Sequence, residues 1–322
     1  MIGSPLQGGS TRRRRPRRAL VLALALAVVA GAIALSAGRS EESQPREPAQ
    51  QPRSTELTES GPEPTAPGIE LGGVDSIVVP FRRLPRAGLV FDLDTGEVLW
   101  RRNPVKRVPI ASLTKVMTAL VVAERTKPRD RVLITRDALR YTGSGVGVLK
   151  RGRRVPIGGL MHGLLLPSGN DAAIALAVHV SGSERRFVQL MNTRARQLGL
   201  QCTQFASSHG LENRNRSCAA DLAALSRLAM QKARIASVVR KRTASVPFPT
   251  KGGRLYVNST NPLLKARYPG TLGLKTGYTK RAGRCLVAVV RRGRRTLGVV
   301  LVGSPNPARQ ARRLLARAPA AG

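Results

Sequence analysis

Acidic residues are scarce in this chain: 18 Asp and Glu stand against 55 Lys and Arg in 322 residues, a formal net charge of +37. Aromatic residues make up 3% of it, and there are only three histidines and three cysteines. A basic protein that binds nucleic acid stacks bases on aromatic rings or builds zinc modules from closely spaced Cys and His. Neither supply exists here, so nucleic acid is excluded as an expected partner. Three cysteines cannot all pair. Cys202 and Cys218 bracket a segment rich in Gly, Asn and Ser, and in an oxidising compartment a disulfide closing that segment is expected. Cys285 opens an apolar run to Val290 and reads as a buried strand thiol. The histidines are scattered rather than set at ligand spacing, so no metal and no cofactor is expected. His162 and His179 read as packing residues, and so in the first place does His209, in a His-Gly-Leu turn between the two cysteines, with a position bordering the substrate groove as its alternative.

One long apolar run is present. Residues 12–18 are almost all Arg, and residues 19–38 are charge-free and nearly all Ala, Leu, Val and Ile. About twenty residues of helix span about 30 Å, the thickness of a bilayer core. This favours a retained transmembrane anchor, with residues 1–18 as a basic cytoplasmic segment. A cleaved signal segment stays open as the alternative, because Ala32-Ile33-Ala34 and Ala34-Leu35-Ser36 resemble small-x-small processing sites. Either route exports the rest, which places the chain in the cell membrane as a single-pass protein or, after cleavage, outside the cell. Residues 39–72 are rich in Glu, Pro, Gln, Ser and Thr and read as a disordered stalk. Residues 73–322 are left as the folded domain. Its basic excess fits a solvated surface or an attraction to anionic wall polymers.

Within that domain, residues 88–100 alternate apolar and polar about Asp94-Thr95-Gly96 and predict a β-hairpin. Helical spacing follows from Ala111 to Ala123, across residues 160–180 with a break at Pro167–Asn170, from Glu184 to Leu198, and again after Ala219. Three β-branched runs, at 272–275, 285–290 and 296–302, predict consecutive antiparallel strands, and 307–317 a closing helix. Hairpin, helices, then strands imply an α+β fold: an antiparallel sheet from the N-terminal hairpin and the C-terminal strands, with a helical subdomain inserted between them.

Three short motifs carry chemistry. Ser112 and Lys115 stand at i, i+3 spacing on one helix face, where an amine of depressed pKa can activate a hydroxyl. Ser168-Gly169-Asn170 occupies the break between apolar helices, where a hydroxyl can relay a proton and a carboxamide can hold a substrate amide. Lys275-Thr276-Gly277, with Tyr278 and Thr279 after it, lies on the first of the three strands, where a peptide can add alongside and a carboxylate can be held. Asp171 and Asp221 read as cap or ion-pair residues.

In this order and context the motifs resemble the Ser-x-x-Lys, Ser-x-Asn and Lys-Thr-Gly set of the penicillin-recognising serine enzymes. The chain looks most like their low-molecular-mass D-alanyl-D-alanine carboxypeptidases, with a β-lactamase/transpeptidase-like fold. The likeness extends to Asp94–Leu99, Ala111–Leu120, Leu165–Ala173, Met191-Asn192, His209–Leu211 and Gly273–Thr279. It implies Ser112 as nucleophile, Lys115 as its base and Ser168 as proton relay. It implies Asn170, Lys275, Thr276, Gly277, Tyr278 and Thr279 as substrate-binding, with the N–H groups of Ser112 and Tyr278 as oxyanion hole. The implied substrate is a peptidoglycan pentapeptide stem, and β-lactams are the implied inhibitors. A D,D-endopeptidase acting on crosslinks and a non-catalytic penicillin- or wall-binding protein remain as alternatives. A class A β-lactamase is disfavoured because no Glu begins a Glu-x-x-Leu-Asn loop.

Overall fold

The alternating stretch near residue 90 folds as β1 (Ala87–Asp92) and β2 (Val98–Arg102). The Asp92 carboxylate accepts the N–H groups of Asp94 (2.9 Å) and Thr95 (3.1 Å), which replaces ladder partners through the turn. The structure, a computed structural model, describes residues 68–318. The expected cytoplasmic segment, the anchor or signal segment and most of the stalk lie outside those residues. Among the described residues no helix is long and apolar enough to cross a membrane.

The three C-terminal runs become β3 (Thr271–Thr279), β4 (Gly283–Arg292) and β5 (Arg295–Ser304). Each strand outlasts its apolar run, because ladder pairing rather than hydrophobicity sets where it ends. β1 pairs antiparallel with β5, Ala87 opposite Val302, giving the sheet order β2-β1-β5-β4-β3. The N-terminal hairpin therefore completes a sheet built by the C-terminal strands, and β3 is left at its edge. Both faces are covered, which is why β4 and β5 read as continuous apolar runs. Leu286, Val299 and Leu301 face the terminal helix with Leu314 and Leu315, whereas Leu89, Phe91, Val287 and Val300 face the helical layer. Phe91 lies over its cross-strand partner Gly298, where an added Cβ would sit 2.1 Å from the ring.

The helical layer comprises α1 (Lys115–Arg125), α2 (Ile157–Leu165), α3 (Asn170–Ser181), α4 (Glu184–Gln197), α5 (Ala219–Gln231) and α6 (Ala233–Val239); α7 (Pro307–Arg317) closes the opposite face. α1 is buried on all sides from Lys115 to Val122, so it is the axis of the layer rather than an amphipathic surface helix. α3 is lined with Ala172, Ala173, Ala175 and Ala177, small residues that let neighbouring helices approach it closely. Ser183 caps α4 by accepting the N–H of Arg186 at 3.2 Å.

Two expectations need correction. The stalk does not run to residue 72: Ile69 and Leu71 are buried in the core, and Glu70 donates its N–H to Gly96 at 3.1 Å. Two apolar side chains in a polar stretch are enough to dock it, and Arg101 fixes it further through the Leu71 carbonyl and, at 2.7 Å, that of Gly73. The helix expected from Ala111 opens instead as a 3₁₀ turn, Ala111–Thr114, and becomes α-helical at Lys115. A two-stranded hairpin, Thr243–Pro247 with Arg254–Asn258, was not expected, since it carries too few apolar residues to announce itself.

Phe91→Ala would empty the space over Gly298 and is expected to destabilise the domain by about 3–5 kcal/mol. Urea denaturation measures this; a loss below about 1 kcal/mol would contradict the packing described.

Candidate active site

Ser112 lies in the middle of the 3₁₀ turn. Residues three apart eclipse one another in this geometry, so Lys115 stands directly beneath Ser112. The Lys115 ammonium nitrogen lies 3.0 Å from Ser112 Oγ, 2.7 Å from Asn170 Oδ1 and 2.7 Å from the His209 carbonyl oxygen. The side chain is wholly buried, and its pKa is driven well below the ordinary lysine value, first by loss of solvent and then by the nearby Lys275. Of the two acceptors other than Ser112, each can take one N–H of a neutral amine. The lone pair that remains points at the Ser112 hydroxyl.

The turn is held in a strained conformation. Ala111 has φ 49° and Ser168 φ 69°, two of the four non-glycine residues with left-handed backbone among the described residues. Gly210 presses on Ala111 so closely that a Cβ there would sit 2.2 Å from the Ala111 oxygen.

Asn170 begins α3, and its side chain spans the site: Oδ1 faces Lys115, and Nδ2 donates to the Thr142 carbonyl at 2.6 Å. Asp171, next to it, accepts the N–H groups of Val146 (2.8 Å), Gly147 (3.1 Å) and Ala172 (2.7 Å). It thus takes up one free N–H in the first turn of α3 and pins Val146 and Gly147 beside the site. Ser168 is buried in the break between α2 and α3.

The third motif arrives on the edge strand. Gly277 of β3 packs against the 3₁₀ turn, where an added Cβ would lie 2.9 Å from the Ser112 nitrogen and 3.1 Å from the Ala111 Cβ. Only glycine lets the strand lie this close. Lys275 is fully buried, donates to the Thr276 carbonyl at 2.9 Å, and has its pKa lowered by burial to about 7. Thr276 Oγ1 is 2.6 Å from Thr260 Oγ1, and Thr260 donates its N–H to Leu166, which ties the strand to the end of α2. Tyr278 is exposed, and Thr279 Oγ1 accepts the N–H of Ala282 at 3.0 Å. The structure therefore gathers Ser112, Lys115, Asn170, Lys275 and Gly277, with Thr276 next to Gly277 on the strand, Ser168 buried two residues before Asn170 and Thr279 engaged in a turn.

Two cavities border these residues. One, of about 520 Å³, is lined by Thr142, Glu184, His209, Leu211 and Glu212 among others; the second, of about 460 Å³, by Thr260, Thr276, Gly277 and Arg284 among others. Cys202 and Cys218 are disulfide-bonded, with Cα atoms 5.5 Å apart. Asp221 accepts the Cys202 N–H at 2.8 Å. Cys285 is buried and its thiol is pushed up to about 11 by loss of solvent, so it stays inert.

A family profile described as D-alanyl-D-alanine carboxypeptidase matches residues 85–306. The chain belongs to the D-alanyl-D-alanine carboxypeptidase family. Among similar members, D-alanyl-D-alanine carboxypeptidase DacF of Bacillus subtilis (strain 168) is 33% identical over 69% of this chain and 58% of its own length. D-alanyl-D-alanine carboxypeptidase DacD of Escherichia coli (strain K12) is 35% identical over 71% of this chain and 62% of its own. The chain thus spans about three fifths of these two relatives. A solved structure of a D-alanyl-D-alanine carboxypeptidase from Mycobacterium tuberculosis H37Rv superposes with a TM-score of 0.70 at 32% identity, covering 76% of this chain and 95% of that one.

Several groups around the family's motifs escaped sequence reasoning. The His209 carbonyl holds Lys115, but a backbone oxygen has no sequence signature. Glu184 accepts both the N–H (2.9 Å) and the hydroxyl (2.5 Å) of Ser208 and lies 3.6 Å from the His209 ring, a convergence that only the tertiary fold produces. Arg284 gains its place from register, opposite Tyr278 on β4. A Gly277→Ala variant should lose some stability and, if Ser112 is the residue acylated, at least about tenfold in its labelling by a fluorescent penicillin, because the new methyl pushes β3 away from the Ser112 backbone nitrogen. Undiminished labelling would show that this close approach is not needed.

Proposed function

We propose that this chain is a serine D-alanyl-D-alanine carboxypeptidase that trims the terminal D-Ala from peptidoglycan stem peptides through an acyl-enzyme on Ser112. The observation that carries this is the socket of Lys115: a buried amine with two fixed acceptors and its third direction on a serine hydroxyl.

In this reading the stem peptide lies along the free edge of β3 as an added strand, with Asn170 holding its backbone amide. Ser112 Oγ adds to the carbonyl carbon between the two D-alanines while its proton passes to Lys115 Nζ. The developing oxyanion is held by the N–H groups of Ser112 and Tyr278, each worth about 3–4 kcal/mol in the transition state. Ser168 relays a proton to the departing nitrogen, the C–N bond breaks and free D-Ala leaves. Water then adds to the ester, and release of Ser112 restores the enzyme. A β-lactam acylates the same oxygen by opening its own ring.

The terminal carboxylate needs a positive partner. With a pKa of about 7, Lys275 is only part-charged at neutral pH, and its nitrogen is already turned to the Thr276 carbonyl. Arg284 carries permanent charge, lies in the same cavity as Thr276 and Thr260, and has no ion-pair partner among the described residues. Arg284 with Thr276 is assigned the carboxylate. Residues 19–38 are assigned as the retained anchor, supported by their length and basic flank. A mature N-terminus near Leu35 or Ala37 would overturn that assignment.

Incubation of the protein with diacetyl-Lys-D-Ala-D-Ala is expected to release D-Ala, with activity lost in Ser112→Ala. Arg284→Leu should raise KM about tenfold or more with little change in kcat, in line with the removal of one charge-assisted contact. No D-Ala release, or release unchanged in Ser112→Ala, would sink the proposal; product analysis on sacculi separates stem trimming from crosslink cleavage.

A further inference from the structure

Cys202 and Cys218 take no part in the chemistry, yet their disulfide, at a sequence separation of 16, closes the segment on which the base depends. One end of that segment supports the nucleophile. Val108 pairs with Ser217 and Pro109 with Arg216, and the Asn215 carbonyl accepts the N–H of Ile110 at 3.2 Å, two residues before Ser112. The middle forms the wall around Lys115. His209 gives it a carbonyl at 2.7 Å, Ser208 accepts the Thr118 hydroxyl of α1 at 2.6 Å, and Gly210 abuts Ala111.

Apart from the two-residue strand Arg216–Ser217, the segment contains no regular element. Its shape comes from a polar hub and from its closed base. Buried Asn215 accepts the N–H groups of Ala206 (3.0 Å) and Ser207 (3.2 Å) and donates to Ser207 Oγ (3.0 Å) and the Glu212 carbonyl (2.9 Å). At the base, Asp221 of α5 accepts from the Cys202 N–H (2.8 Å) and the Thr203 hydroxyl (2.7 Å). The disulfide is the covalent link between that base and α5, since Cys218 precedes the first residue of the helix.

We propose that the Cys202–Cys218 disulfide is a positioning element of the active site, which holds residues 203–217 closed over Lys115 and so keeps the base dry and aimed at Ser112. The proposal rests on Lys115 being the base. The charged and titratable groups around Lys115 come from four directions: Lys275 on β3, Asp171 on α3, Glu184 on α4, and His209 and Glu212 on the segment itself. Burial and Lys275 disfavour the ammonium, whereas the three carboxylates favour it, and burial is the largest influence. Opening the segment admits water on that side and weakens that largest influence. The loss of Glu212 acts in the opposite direction but is the least of the influences named. The net effect is a rise in the lysine pKa, so that more of the base is protonated, and idle, at neutral pH. In an exported chain, a competent base would then form only after oxidation outside the cytoplasm.

The test is the pH profile of Ser112 acylation by a fluorescent penicillin in three preparations of the full chain. These are the wild type, Cys202→Ser/Cys218→Ser, and wild type treated with dithiothreitol, which closes to its own cyclic disulfide as it leaves two protein thiols. In the disulfide-free forms the acid limb of the profile should move to higher pH, and the rate at neutral pH should fall by about tenfold for each unit of pKa gained. Reoxidation should restore both in the reduced wild type. That reduced form decides the matter if the double variant fails to fold, with near-UV circular dichroism as the check on its fold. A folded, disulfide-free protein with an unmoved acid limb, even if it melts earlier, would overturn the proposal. An absence of Ser112 labelling in the intact wild type at every pH would overturn the base assignment itself.

Discussion

Removal of one lysine side chain from water is the constraint around which this molecule is organised. A buried ammonium without a counter-ion is so costly that the group surrenders its proton instead. At Lys115 the nearest partners are neutral: a carboxamide oxygen, a backbone carbonyl and a hydroxyl. These can satisfy an amine without stabilising its charge as a carboxylate at contact would. A second buried lysine, Lys275, adds repulsion from the edge strand. In the proposed mechanism the lone pair so freed serves Ser112 as its base, and the helical layer, the edge strand and the 203–217 segment each supply one wall of the socket.

The fold explains how these walls meet. Pairing of β1 with β5 brings the start of the domain to its C-terminal strands, so the chain between them is obliged to form a separate layer over one face of the sheet. α1 runs through the middle of that layer and begins with Lys115, and the 3₁₀ turn that leads into it carries Ser112 where the sheet edge passes. Gly277 is the contact that allows edge and helix to meet, and the break between α2 and α3 turns Asn170 inward. Left-handed backbone at Ala111 and Ser168 marks the two places where the chain bends against its preference to achieve this.

Much of this architecture is legible in the sequence. Strands of alternating or β-branched residues, helical spacing and breaker residues are local signals, and they place the hairpin, the helices and the C-terminal meander. The three motifs are equally local, each within one turn or one strand. Groups that act through backbone or register are not legible. A 3₁₀ turn and an α-helix both set Ser112 and Lys115 three apart, so spacing cannot tell them apart. The His209 carbonyl would be the same oxygen on any residue, Arg284 matters only through its position opposite Tyr278, and Glu184 meets Ser208 only once α4 is packed. Ile69 and Leu71 were hidden by a polar neighbourhood, although burial of those two side chains is enough to extend the folded body.

The charge of Lys115 decides whether Ser112 has a base beside it. Nitrogen-15 NMR of the lysine side-chain amines, with Lys115→Arg to assign the resonance, reads that charge directly. Lys115 is predicted to lose its proton at a lower pH than the protein's exposed lysines do, because burial and Lys275 disfavour its charge. A Lys115 resonance that remains that of an ammonium up to about pH 10 would contradict it.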